Sequence, residues 1–165
     1  MAWTLPDTAA AGDAGHVTDH NLILTALSSM NNTWTSYTPT LGGSGWAIGN
    51  GTITAAYCYV AANAIALRIK LSFGSSSTYG GSVPTLTFPV TATSGWNGIN
   101  EQFHVGFLDI SSGSFYKGAA RANNTSSFLL ASLTTSGLHT NCSSTSPFTW
   151  TTSDEMTVTG VYEVA

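Results

Sequence analysis

The chain has 165 residues, enough for one compact domain with a short appendage. Only 7% of them are charged, against about 25% in ordinary soluble domains, so the surface is neutral and hydroxyl-rich, as suits a large assembly or the outside of a cell. Four Lys and Arg against eight Asp and Glu, a net charge of -4, argue against a nucleic-acid partner held by its phosphates, and no run approaches the ~18 apolar residues that cross a bilayer.

Residues 1–18 read as an extended arm. They hold Pro6, Gly12, Gly15 and several Ala with no sustained period, and Trp3, beside Leu5 and Pro6, is the anchor expected to fit a pocket on another protein or copy. The opening MAWTLPDTAAAGDAG lacks both a basic n-region and an apolar core, so synthesis in a cytoplasm without a secretory signal is expected.

Residues 19–33 carry the one helical rhythm. His20, Ile23, Leu27, Met30 and Trp34 step by three, four, three and four, the spacing of a coiled-coil seam. Thr18 or Asp19 supplies the N-cap and Asn31 and Asn32 the end. A helix of about 15 residues is marginal alone in water, so copies of itself are the expected partners and a homotrimer the expected state. The alternative is a lone helix laid on the β-domain. Asp13, His16, Asp19 and His20 are the densest group of metal-ligand types; the expected role of His20 is to cap the top layer of the helical seam, with no metal and no cofactor.

From Trp34 the period changes to two. WTSYTPTL is a first strand ended by Gly42-Gly43, and Asn50-Gly51 is a turn. GTITAAYCYVA and IALRIKLSF form a hairpin around Ala61 to Ala64, and Ile65, Leu67, Ile69, Leu71 and Phe73 define a core face opposite Ala66, Arg68, Lys70 and Ser72. Pro84 and Pro89 limit PTLTFPV to an edge or a bulge. QFHVGFLDI turns inward Phe103, Val105 and Phe107; FYKGAARA and SFLLASL follow, then a Ser/Thr-rich loop to PFTW. The last strand, EMTVTGVYEV, alternates Met156, Val158, Tyr162 and Val164 with Thr157, Thr159, Val161 and Glu163. Eight to ten such strands make residues 34–165 an all-β domain, expected as a jelly-roll-like β-sandwich behind the arm and helix. Cys58 and Cys142 have no metal-type spacing and are expected as reduced, packed thiols rather than a disulfide.

Catalytic patterns are absent from the sequence. There is no Gly-x-Ser-x-Gly elbow and no phosphate loop, Gly42-Gly43-Ser44-Gly45 is a turn, and His104 and His139 share only a half of the chain with Asp109 and Asp154. The expectation is a protein that is not an enzyme. Trp46, Trp96 and Trp150 lie beside Gly- or Thr-rich turns, where exposed rings would stack on sugars. N-x-Ser/Thr sequons begin at Asn31, Asn50, Asn123, Asn124 and Asn141 but carry no weight without a secretory signal.

Four ordered blocks, GDAGHVTDHNLILTALSSM, TWTSYTPTLGG, IGNGTITAAYCYVAANAIALRIKLSFG and PFTWTTSDEMTVTGVYEVA, resemble structural proteins of tailed bacteriophages that infect actinobacteria. Those proteins open on a "GHv.dHN" segment and a short helix, enter a β-domain at "YtPt", and close with "gD" before a last strand. This chain departs at Ala56-Tyr57, where the family has Arg-Tyr, and at Ser153-Asp154, where it has Gly-Asp. The resemblance implies a trimeric virion component: a capsid decoration protein, a head fibre or a minor tail protein. Its length favours decoration of the capsid surface, with the major capsid protein as partner and a host surface glycan as a further partner in the tail-fibre alternative. An arm of about 18 residues could reach roughly 60 Å between capsid subunits.

Overall fold

Alternation of apolar and polar residues becomes alternation of buried and exposed ones in the computed structural model, which describes residues 33–96, 103–134 and 136–165. The arm with Trp3, Leu5 and Pro6, the seam residues His20, Ile23, Leu27 and Met30, and the Asp13, His16, Asp19 and His20 group lie outside the described residues. Trp34–Ala165 form one compact unit, and none of its described residues is in an α-helix. The strands are β1 (Thr35–Ser36), β2 (Leu41–Gly42), β3 (Thr52–Ala61), β4 (Ala64–Ser72), β5 (Thr85–Thr87), β6 (Phe103–Asp109), β7 (Ser114–Ala122), β8 (Ser127–Leu133), β9 (His139–Asn141) and β10 (Glu155–Glu163).

All ten strands belong to one antiparallel sheet, ordered β1-β3-β4-β10-β6-β7-β8-β5-β2, with β9 added on β8. The two ends of this order are consecutive in the chain. From Ser36 on β3 to Leu41 on β5 is five residues, a span of at most about 18 Å, so the sheet has to curl until its edges meet. Along this bridge the ladder changes partner: Tyr37 N–H donates to Ala55 O, while Thr87 N–H donates to Thr40 O and Thr40 N–H to Thr87 Oγ1. Buried Pro39 sits at the change, where its missing N–H leaves no donor unpaired. Taken around the curl, β5, the β1–β2 bridge, β3 and β4 form one Greek key and β10, β6, β7 and β8 a second, each with its fourth strand beside its first. The all-β expectation is met. Eight strands in two keys is also a jelly-roll inventory, but here the keys follow one another in series, with β10 between β4 and β6.

The predicted core faces are buried. Ile65, Leu67, Ile69, Leu71, Phe73, Phe103, Val105, Phe107, Met156, Val158, Tyr162 and Val164 all belong to the core, where a side chain of this size contributes about 1.5–3 kcal/mol over leaving it exposed. One aromatic group joins Trp46, Phe73, Tyr79, Phe107, Phe148 and Trp150; another joins Phe88, Phe103, Phe128 and Tyr162. Tyr162 satisfies its buried hydroxyl by donating to Val90 O at 2.8 Å.

Three expectations are corrected by this packing. Trp46 and Trp150 are 5% and 3% exposed, and their indole N–H groups donate inward to Ser82 O and Ser143 O at 2.7 and 3.0 Å. Covered on their faces and anchored at their edges, they offer no platform to a sugar. The PTLTFPV stretch is not an edge, since β5 pairs with both β8 and β2 and the two prolines fall outside its three paired residues. The Ser/Thr-rich loop contains an added strand, β9.

Before β10 the chain makes a turn held by a buried carboxylate. Asp154 is fully buried and accepts from Thr151 N–H, Thr151 Oγ1 and Ile110 N–H, which fixes the start of β10 to the end of β6. Ser153 beside it has φ 73°, in the left-handed region, and its N–H donates to Phe73 O at 2.8 Å. Both cysteines are free and buried, as expected of packed thiols.

Candidate functional site

Side chains that alternate out of the core meet on the outer face of β4, β10, β6 and β7. All four Lys and Arg of the chain stand there: Arg68 and Lys70 on β4, Lys117 and Arg121 on β7, each exposed. The pairing register brings them together. Arg68 is opposite Thr159, Thr159 opposite His104, and His104 opposite Ala119. This cross-strand row continues through Ala56 to Ser36 on one side and through Ala131 to Asn141 on the other. Eight strands at about 4.8 Å spacing make it roughly 34 Å long.

Small residues keep the row low, and three adjoining depressions form a trough along it. The first, about 400 Å³, lies over Ser36, Thr54, Ala56, Arg68, Lys70, Thr157 and Thr159. The second, about 530 Å³, shares Thr157 and Thr159 and reaches His104, Lys117, Ala119 and His139. The third, about 400 Å³, shares Ala119 and His139 and ends at Arg121 and Asn141. Phe115, 69% exposed, forms part of the wall. A Cβ at Gly106 would come within 2.8 Å of Thr157 Oγ1 and 3.2 Å of Phe115 Cε1, so the glycine leaves the bay beside which that ring lies.

The cations differ in their partners. Lys70 Nζ is 2.6 Å from Glu155 Oε1, a part-exposed pair of the kind worth at most about 1 kcal/mol; Ser72 Oγ also donates to that oxygen. The Arg68 guanidinium carbon lies 4.3 Å from the centroid of the Trp34 ring, an attraction that steadies the side chain. The residues that line the three depressions include all four Lys and Arg and no Asp or Glu, and of these cations Lys70 is paired with Glu155.

Trp34, the one seam residue within the described part, is 40% exposed just before β1 and lies under Arg68. Trp96 ends the 3-10 turn Ser94–Trp96. His104 and His139 do line one depression, but neither acidic group considered with them is directed to them. Asp154 is spent on Thr151 and Ile110, and Asp109 accepts from the backbone and hydroxyls of Ser111 and Ser112. Those hydrogen bonds hold the Asp109 carboxyl below its ordinary pKa. Among the described residues no three His, Cys, Asp or Glu are grouped to hold a metal.

The trough went unread in the sequence although each half was visible. Arg68 and Lys70 alternate with core residues, as do Lys117 and Arg121, but only the insertion of β10 and β6 between those strands puts the two pairs on one surface. Comparison of the chain with protein-family models, with curated proteins and with solved structures finds no match.

Proposed function

We propose that this chain is a structural protein of a tailed-phage virion, a homotrimeric decoration protein that binds the capsid surface through its N-terminal residues and stabilises the shell by bridging its subunits. The observation that carries this reading is the turn at Ser153-Asp154. The resembled family has Gly-Asp there, and in this fold the first position needs a left-handed backbone while the second is a buried carboxylate with three donors. The motif therefore has a physical role at its place in this chain, which supports the likeness of the ordered blocks. Three arms on one trimer would multiply a weak attachment through effective concentration.

The test is copy number per virion, by quantitative mass spectrometry against the major capsid protein, together with particle binding after deletion of residues 1–15. Hundreds of copies, and a deleted protein that stays trimeric but no longer binds particles, are the expected results. Trimers that persist in sedimentation after Ile23→Asp with Leu27→Asp would remove the helical seam from the account. A few to a few tens of copies would favour the second reading, a minor tail or short fibre protein that contacts a host surface glycan. The basic outer face is the observation in its favour.

A further inference from the structure

We propose that the trough across the outer sheet face binds a linear polysaccharide bearing a carboxylate on successive sugars, a polyuronate chain. The inference stands apart from the capsid reading, because it rests on the described sheet alone.

Three features select this ligand chemistry. The first is charge: a chain with only four Lys and Arg in 165 residues places all of them along one trough. Arg68 and Lys117 are on strands three spacings apart, roughly 14 Å, so engaging both takes several carboxylates on one extended molecule rather than a single terminal acid. Arg68 is steadied by the Trp34 ring, and a guanidinium held by its face keeps its edge N–H groups for a carboxylate fork. The second is the floor. Ser36, Thr157, Thr159 and Asn141 offer hydroxyl and amide groups suited to sugar hydroxyls, and the exposed Phe115 ring offers an apolar face to a sugar ring. The third is direction. The trough runs across the strands, whose backbone groups in this row are committed to the ladder, so an acidic peptide could not bind by strand addition. A nucleic acid would need more cations than are present, one of which is already paired with Glu155.

The test is isothermal titration of the full-length protein with hexagalacturonate, with neutral cellohexaose and hexaglutamate as comparison probes. Hexagalacturonate is expected to bind and cellohexaose not, and affinity should fall as salt rises from about 0.02 to 0.5 M, because the Debye length shrinks over that range. Arg68→Gln with Lys117→Gln should weaken binding by about tenfold or more, given the strength of charge-assisted hydrogen bonds. Phe115→Ala, at a position where loss of the fold is not expected, should weaken it by about threefold or more through lost stacking. Melting curves equal to wild type would establish that the variants are folded. The proposal is overturned by absence of hexagalacturonate binding at millimolar concentration, by binding that none of the folded variants alters, or by hexaglutamate binding equally well.

Discussion

At position 153 a serine occupies a left-handed backbone, φ 73°, a conformation that costs a side chain with a Cβ about 1–2 kcal/mol. Its side chain is exposed, while its N–H closes the turn onto Phe73. Ser153→Gly should therefore stabilise the protein by about 0.5–1 kcal/mol, the relief of strain less the larger entropy of an unfolded glycine. Chemical denaturation checks it, and a loss of stability would mean that the serine side chain contributes something beyond the turn. Asp154 shows the opposite relation between residue and place. A carboxylate is costly to bury, yet three donors converge on it and link the ends of β6 and β10. The dipeptide was visible in the sequence as a departure from a familiar Gly-Asp pair; its reason, one residue strained and the next fully bonded, is a matter of backbone geometry.

Between β6 and β7 the turn is organised by a single half-buried carboxylate. Asp109 accepts from both the backbone and the side chains of Ser111 and Ser112, and Gly113 completes the turn at φ 67°. Because these bonds favour the ionised form, the folded-state pKa lies below the unfolded one. The associated stability is present above the unfolded value of about 3.9 and is lost as pH falls through the lower folded value. Melting temperature should accordingly drop more steeply below about pH 4 in the wild type than in Asp109→Asn, which cannot titrate there; parallel curves would mean that the turn adds no pH dependence. Elements also show where local reading stops. The inward faces of β4, β6 and β10 follow from alternation alone, but Pro84 and Pro89 read locally as marks of an edge or a bulge. They bound a short inner strand instead, because β5 uses only Thr85, Leu86 and Thr87 for its ladders.

Both thiols are buried, Cys142 in the core inside the curled sheet and Cys58 on the outer face of β3, opposite Ala66. Cys58 and Cys142 are 5% and 0% exposed, and burial pushes the Cys142 thiol up to about 12 while its Sγ–H donates to Ser146 O. An aromatic disulfide reagent at about pH 8 should therefore leave the native protein unmodified, since only an accessible thiolate attacks, and should count two thiols per chain after denaturation. Rapid native reaction of Cys142 would show that the sheet opens locally. The same closure decides what the tryptophans do. Trp46 and Trp150 lie beside turns in sequence, yet the curl draws those turns over one end of the core, so the rings are packed together at 5.9 Å. By itself the sequence determined the period-two strands, their inward faces, the low surface charge and the two packed thiols, because each is a local consequence of side-chain alternation and composition. Only the tertiary structure decided the serial Greek keys, the inner place of β5 and the basic trough. Each of these depends on which strands become neighbours, and that choice is made by burying faces from distant parts of the chain against one another.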